Sequence, residues 1–295
     1  MANSIKDIIK NLKNLSFKDT KHLDDQGYLV LKNISFLKKN VDTLSEISEK
    51  LISEEGDKGG WEGKEKYFKT GKKFEEGADR LGGLINKHNL FLKIINIPEL
   101  ILAAHHVIKD EIKVCGFNLR SPKKGYGQQG IHMDGFARKD IKEPFSGVVI
   151  FIYLDDSYVE NGALRVIPAT HKKLGWPDDH IDIHEQHPDE VRVEVNKGDA
   201  VIANLNLWHA GAININGKQR KSIMLNIKNR SYGQLLNYKS YLNRDFIDTL
   251  TDEEKYLLAV RKNDVDHEVI NDGSANEARR RYLKVKGINT SIIKS

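Results

Sequence analysis

The spacing of apolar residues changes along the chain, and the N-terminal part, residues 1–111, has mainly helical spacing. Apolar side chains recur every three or four positions in residues 1–20, which predicts one amphipathic helix, and again in residues 41–52. Residues 27–31 form a short apolar run that is typical of a strand. From residue 90 to residue 108 the apolar residues are dense and again helix-like. We therefore predict helices and one strand before residue 112.

Short β-type segments separated by Gly, Pro, Asn and Asp begin near residue 112. They predict a sandwich or barrel of antiparallel strands over about residues 112–230. Helical spacing returns over residues 231–295, where Thr251 and Glu254 fit a capping box. No repeat or linker interrupts the sequence, so we expect one domain over residues 1–295. The candidate strands are residues 112–120, 128–134, 146–155, 163–167, 190–196, 199–204, 209–214 and 220–229.

Composition narrows the classes of protein that fit this pattern. Hydrophobic residues make up 39% of the 295 residues and only six are proline, which is typical of a chain with a core and not of a disordered one. The longest apolar run, residues 148–154, is too short for a bilayer, and the N-terminus lacks a secretory apolar block. We expect a cytoplasmic protein with no membrane partner. The net charge of +5 is spread along the chain, which argues against nucleic-acid binding.

The residues that could bind a metal are histidines and carboxylates. Cys115 is the only cysteine, which excludes an intrachain disulfide and a cysteine-built zinc site. Two histidines and one carboxylate leave Fe(II) with open positions for a co-substrate and oxygen. In a strand, His-x-Asp puts both side chains on one face. The chain contains this motif four times, at His22/Asp24, His132/Asp134, His180/Asp182 and His187/Asp189.

Sequence context separates these four motifs. Only His132 and Asp134 follow a glycine-rich segment and precede the apolar strand at residues 146–154, whereas the other pairs fit helix starts or loops. A third ligand is expected on a later strand. His209 fits because a turn at residues 198–199 leads into its strand and Gly follows it closely. Spacing alone leaves open that His209 is a core histidine.

The strand after His209 carries a candidate anion site. Arg220 and Ser222 share a face by strand alternation. A guanidinium can bind a carboxylate through two parallel hydrogen bonds, and a hydroxyl adds one more. The pair could hold the distal carboxylate of 2-oxoglutarate, and a surface salt bridge is the alternative.

Three segments together resemble the phytanoyl-CoA dioxygenase family. They are, in the family's order, residues 129–134, 160–172 and 198–220. The middle segment is the most specific, although it has Ala169-Thr170-His171 where the family usually has Gly-Ser-His. The resemblance covers about residues 22–230.

The resemblance implies a mainly β fold with flanking helices, a double-stranded β-helix of the cupin-like jelly-roll type. It implies that His132, Asp134 and His209 bind Fe(II), and that Arg220 and Ser222 hold the co-substrate 2-oxoglutarate. The implied reaction consumes O2, releases succinate and CO2, and hydroxylates or otherwise oxidises a small-molecule substrate. Related halogenases lack the carboxylate at the position of Asp134, so its presence favours hydroxylation or another oxidation. Family members act on very different substrates, so the substrate is not implied.

Further contacts follow from the resemblance and from strand parity. Asn118 and Gln129 are candidate ligands of 2-oxoglutarate. Regular alternation would turn Gln128 and not Gln129 towards the metal, unless the adjacent glycines break it. Arg120 and Arg138 are candidates for binding an anionic substrate, with surface arginine as the alternative.

Other interpretations stay open from sequence. The segment with His180, His184 and His187 could form a second metal site, but we favour an insertion over the mouth of the active site. A metal-dependent isomerase or hydrolase could use the same three ligands without needing Arg220. A catalytically silent binding protein would be expected to have lost a ligand. The sequence does not indicate the oligomeric state.

Overall fold

A computed structural model of the chain describes residues 4–60 and 75–264. Its strands are β1 (Tyr28–Leu31), β2 (Ala78–Leu81), β3 (Ile112–Pro122), β4 (Gly147–Tyr153), β5 (Leu164–Ile167), β6 (Val191–Val193), β7 (Ala200–Asn204), β8 (Trp208–Ala210) and β9 (Ser222–Asn229). Its helices are α1 (Ile5–Ile9), α2 (Phe17–Gln26), α3 (Ser35–Glu55), α4 (Asn89–Ile94), α5 (Pro98–Ile108), α6 (Tyr238–Tyr241), α7 (Arg244–Thr249) and α8 (Asp252–Leu257).

Two antiparallel sheets form the centre of the molecule. The larger has six strands in the order β1-β7-β4-β9-β3-β2, and the smaller has three in the order β6-β5-β8. Apolar side chains of β4 and β7 meet those of β5 and β6 between the sheets. Non-sequential neighbours within two facing antiparallel sheets define a jelly roll, here a double-stranded β-helix with flanking helices. The predicted fold class is confirmed.

The larger sheet is covered on its outer face by helices, with α5 packed against β3, β4, β7 and β9. Val148, Ile150 and Ile152 of β4 point to this helix-covered face, and the residues between them point to the space between the sheets. Both faces of β4 are therefore buried, which explains why its sequence is a continuous apolar run and not an alternation.

The predicted helix over residues 1–20 is wrong, because two helices, α1 and α2, occupy this region. Ser16 begins the second helix, and its hydroxyl accepts a hydrogen bond from the backbone N–H of Asp19 at 3.1 Å. The helical stretch at residues 90–108 is likewise two helices. Pro98 starts the second, since proline disfavours helical geometry in the residue before it.

The predicted strand at residues 27–31 and helix at 41–52 are confirmed by β1 and α3, and the capping box at Thr251 is confirmed at the start of α8. Residues 128–134 are not a strand and contribute only one isolated bridge. The edge strand β2 was not predicted, because its Ala-Asp-Arg-Leu sequence has little apolar signal.

Residues 265–295 of the predicted C-terminal helical segment lie outside the described residues, so one domain over the whole chain stays a prediction. Core residues from Ile5 to Val260 nevertheless form one apolar cluster. In the described ranges, no helix combines the length and hydrophobicity that a bilayer crossing needs.

Candidate functional site

A single antiparallel bridge brings two distant histidines together. The backbone N–H of His132 donates to the carbonyl of His209 at 2.9 Å, and the N–H of His209 donates back at 2.8 Å. Residues directly opposite each other in an antiparallel pair have side chains on the same face. The two imidazole rings are therefore neighbours, with centroids 4.5 Å apart.

Each imidazole is oriented by its own chain. Nδ1 of His132 lies 2.9 Å from the carbonyl oxygen of Gly130, and Nδ1 of His209 lies 2.9 Å from that of Leu207. A carbonyl only accepts, so each Nδ1 carries a proton, and each Nε2 is the nitrogen that faces the other donors and is available to a metal. This arrangement is typical of metal-binding histidines, whose second nitrogen is held by the surrounding protein.

Asp134 completes a group of three donors. Its two carboxylate oxygens lie 3.9 Å from Nε2 of His132 and 3.5 Å from Nε2 of His209. All three donor atoms fall within 4.8 Å of one another, and residues 4–60 and 75–264 contain no other such group of three. Of the four His-x-Asp motifs, only the one at His132 belongs to it.

The charges of this group favour cation binding at neutral pH. Burial, and then the neighbouring His209, lower the pKa of His132 to about 4, so its imidazole is neutral. Burial would raise the pKa of Asp134, but the hydrogen bond from His209 and both nearby imidazoles bring it below its usual range. Burial would also lower the pKa of His209, and the hydrogen bond with Asp134 raises it instead. A bound cation would replace the shared proton between these two side chains.

The three donors line a cavity of about 270 Å³ between the sheets. Arg220 and Ser222 line the same cavity, just before and at the start of β9. The Arg220 side chain is buried, and its Nε donates to the carbonyl of Asn161 at 3.2 Å. One of its terminal nitrogens has no hydrogen-bond partner among the described residues. Because a buried unpaired donor is destabilising, this nitrogen is suited to a ligand oxygen.

Asn118 and Gln129 also reach the cavity. Asn118 lies in β3, and its buried Oδ1 lacks a partner within the described part of the chain. Oε1 of Gln129 accepts from the N–H of Gly211 at 2.8 Å, whereas Gln128 accepts from Ile213 on the exposed side. Regular strand alternation predicted that Gln128 would face the metal, and this is wrong because the backbone of the segment is irregular, with φ +105° at Gly127.

Arg120 and Arg138 have different surroundings. Arg120 lines the cavity, and its guanidinium binds Glu75 at 2.6 Å. Arg138 does not reach this cavity. Its Nε donates to the carbonyl of Glu143 at 3.0 Å, and its guanidinium lies 4.5 Å from the ring centre of Phe145. The structure therefore holds Arg138 in the loop that follows the metal-binding segment, away from any substrate in the cavity.

We expected the segment with three histidines to lie over the mouth of the cavity, but none of its residues lines the cavity, so this prediction is wrong. Its apolar residues Ile181 and Ile183 pack against an apolar cluster that includes Ile131 and Trp208. The backbone carbonyl of Ile183 accepts from Ile131 at 2.8 Å. Nε2 of His180 hydrogen-bonds the carbonyl of Leu174 at 2.7 Å. The insertion supports the ligand-bearing segment from behind.

Sequence reasoning missed several residues of the cavity wall. Tyr153, Asn226 and Lys228 line it, as does Arg80 from the unpredicted strand β2. Alternation along β9 could have found two of them, because Asn226 and Lys228 share the face of Ser222. No local signal could have indicated Arg80.

Two facing antiparallel sheets with a His, Asp and His group inside define a cupin-like protein with a candidate metal centre. The sequence model of the phytanoyl-CoA dioxygenase (PhyH) family matches residues 23–222. The chain belongs to this family, and the family resemblance seen in the sequence is confirmed.

Similar proteins are found in sequence and in structure. A Mycobacterium tuberculosis protein, named only as the uncharacterized protein Rv1501, is 24% identical over 222 residues, covering 72% of this chain and 75% of that protein. HygX from Streptomyces hygroscopicus, with nickel and 2-oxoglutarate bound, has a TM-score of 0.60 at 14% identity, covering 75% of this chain and 90% of HygX.

Two further solved structures share the fold. EctD from S. alaskensis, with bound Fe, has a TM-score of 0.58 at 17% identity, covering 75% of this chain and 79% of EctD. The non-heme alpha ketoglutarate dependent carbocyclase SnoK from nogalamycin biosynthesis has a TM-score of 0.56 at 18% identity, covering 74% and 85% of the two chains. At these identities, the likeness establishes the fold.

Proposed function

We propose that this protein is an Fe(II)- and 2-oxoglutarate-dependent dioxygenase that hydroxylates, or otherwise oxidises, a small molecule and releases succinate and CO2. The proposal rests on one observation. Three convergent metal donors share a cavity with a buried arginine, Arg220, that has an unpaired terminal nitrogen among the described residues. Membership of the PhyH family supports it, as do the metal and 2-oxoglutarate bound in HygX and the Fe in EctD.

The donor set fits Fe(II). Two imidazole nitrogens and one carboxylate are the protein ligands that non-haem iron oxygenases use, and they leave open coordination positions. Bound Fe(II) with 2-oxoglutarate would supply activated oxygen, with the decarboxylation of 2-oxoglutarate providing the electrons. The hydrogen bonds from the Nδ1 atoms of His132 and His209 hold both rings in their metal-binding orientation.

The chain also fits 2-oxoglutarate. Arg220 and Ser222 would bind the distal carboxylate, and Asn118 and Gln129 lie on the same cavity wall. Tyr153 interacts with the Arg220 guanidinium and restricts its position. The apolar side chains of Phe151, Leu164 and Val149 line the remaining wall and would limit access of water to the reacting atoms.

The two alternatives predict different properties of this cavity. A metal-dependent isomerase or hydrolase would have no use for a buried arginine that keeps an unpaired donor beside the metal ligands. A silent binding protein would not need three intact donors. Both features are present, so the dioxygenase is the better explanation.

The experiment is succinate formation by protein that is loaded with Fe(II) under anaerobic conditions and then given 2-oxoglutarate and air. We expect succinate above the metal-free control, abolished in His132→Ala and strongly reduced in Arg220→Ala. The exposed residues His22 and Arg244 provide matched controls, and their alanine variants should keep wild-type turnover. Tight iron binding with no 2-oxoglutarate binding would contradict the proposal and favour the isomerase or hydrolase.

A further inference from the structure

One end of the cavity carries a buried lysine that the proposed binding of Fe(II) and 2-oxoglutarate leaves unused. Lys228 lines the cavity and is only 7% exposed. Among the residues in ranges 4–60 and 75–264, its ammonium has no hydrogen bond and no ion pair within 4 Å. A lysine that lines a cavity and forms no ion pair with the cavity wall is suited to an anionic ligand.

The register of β9 against β4 separates this lysine from the 2-oxoglutarate side. Each pair of opposite residues on β4 and β9 is called a rung. The ring of Phe151 packs against His209 with centroids 6.0 Å apart, so the rung that contains Phe151 lies level with the metal ligands. Strand rise is about 3.3 Å per residue, so rungs two residues apart are separated by about 7 Å. The paired rungs are, in order, Tyr153 with Ser222, Phe151 with Met224, Val149 with Asn226, and Gly147 with Lys228.

The order of these rungs gives the cavity two ends. Ser222 lies on one side of the metal ligands, beside Arg220, and Asn226 and Lys228 lie on the other. Asp134 and Lys228 line the same cavity. A long lysine side chain at this end can therefore reach a molecule bound next to the metal.

The charges of the cavity indicate what that molecule carries. Its described wall has four cationic side chains and the carboxylate of Asp134, and Glu75 pairs with two of the cations at the rim. Four cations against two carboxylates leave two positive charges. Fe(II) and the 2-oxoglutarate dianion cancel each other, so this excess persists when both are bound. The cations are Arg80, Arg120, Arg220 and Lys228.

We propose that the substrate is an organic anion, whose carboxylate or phosphate group binds Lys228 and Asn226 while an apolar portion lies beside the metal. The side chain of Asn226 lines the cavity one rung nearer the metal ligands. Apolar Met224, Val149 and Leu235 lie along the same wall and suit a hydrocarbon portion. This inference rests on the proposed function, since it assigns the other end of the cavity to 2-oxoglutarate.

The test measures binding and does not require turnover. Protein is loaded with Ni(II) and N-oxalylglycine, an unreactive analogue of 2-oxoglutarate. It is then titrated calorimetrically with straight-chain carboxylates from butyrate to decanoate, with their primary amides, and with alkyl phosphates of the same lengths. We expect at least one anion to bind about tenfold or more tightly than its matched amide, because a charge-assisted hydrogen bond is stronger than a neutral one. The carboxylate and phosphate arms distinguish the two kinds of anion.

The variants assign that preference to one side chain. Lys228→Met should remove the preference for the anion, and Lys228→Arg should keep most of it. Lys139→Met removes the same charge from the exposed surface, so it should behave as wild type. Equal binding of anions and amides by the wild type, or an undiminished preference in Lys228→Met, overturns the proposal, as does the absence of binding by every anion. Failure to bind N-oxalylglycine would instead contradict the proposed function. If Lys228→Met does not fold, Lys228→Gln takes its place.

Discussion

On β9, alternate residues face two different environments. Ile223, Leu225 and Ile227 point outward and are fully buried against the helices, whereas the residues between them point into the cavity and are mostly polar. The outer face gains stability from apolar burial. The inner face places Ser222, Asn226 and Lys228 in the cavity, where buried polar groups lower stability and are available to ligands. Because side chains alternate along β9, its outward residues stabilise the fold and its inward residues are available for binding.

The largest effect on stability is expected on the outer face. Leu225→Ala should lower the free energy of unfolding by about 2–5 kcal/mol, because it leaves a cavity in a well-packed core. Met224→Ala, on the half-buried inner face, is the matched comparison and should have a smaller effect. Urea unfolding of the metal-free proteins measures both. Equal destabilisation would contradict the separation of the two faces.

The second prediction concerns the cavity side, where a substitution should weaken ligand binding and leave stability unchanged or higher. Arg220→Met should weaken 2-oxoglutarate binding by about 10- to 150-fold, since it removes a charge-assisted contact of about 1.5–3 kcal/mol. Stability should be unchanged or higher, because the variant also removes a buried cation with an unpaired nitrogen. Calorimetric titration and urea unfolding of the same preparation give the two values. A marked loss of stability would show that Arg220 is mainly a structural residue.

A third prediction uses a histidine outside the cavity. Burial lowers the pKa of His171 from 6.5 to about 4, so the unfolded chain takes up a proton first as the pH falls. The stability that the neutral ring contributes is therefore lost between pH 6.5 and pH 4, by about 2–3 kcal/mol. His171→Gln should flatten this fall in urea unfolding of the metal-free protein, and exposed His184→Gln should not. An identical pH slope in both variants would count against the assignment.

The smallest change in the free energy of unfolding is expected at Ala169, just after β5. Ala169 has φ +65°, a left-handed conformation that is unfavourable for a residue with Cβ. Ala169→Gly should raise the free energy of unfolding by about 0.5–1 kcal/mol, after the greater entropy of glycine in the unfolded chain is subtracted. Ala137→Gly, where φ is not positive, should lower it. A fall in both variants would mean that no strain exists at Ala169.

Local sequence pattern predicted the structure correctly where a short motif is explained by a single kind of structure. The continuous apolar run of β4 indicated a strand buried on both faces, and Thr251 with Glu254 indicated a helix start. The His-x-Asp motif was ambiguous on its own, because the chain contains it four times. Its position relative to a later strand, and the resemblance to a family, selected His132.

Local sequence pattern did not predict the position of a side chain where that position depends on contacts with distant segments. The sequence around Gln129 suggested a strand, but irregular backbone turned Gln129 and His132 to the same cavity. Arg120 and Arg138 were both candidates for binding an anionic substrate, and only the fold places Arg138 in a loop and Arg120 in the cavity wall. The isoleucines of the three-histidine segment pack against an apolar cluster that includes Trp208, and spacing does not show this contact.

The sequence by itself determined the β-rich core, its family and the residue types available to bind a metal, because alternation and motif order are properties of short segments. Tertiary structure alone decided which of these residues meet. His132 and His209 become neighbours through one backbone bridge, and Arg220 and Lys228 reach opposite ends of one cavity through strand register. Distances between residues far apart in the chain are set by the pairing of strands, and no local pattern encodes that pairing.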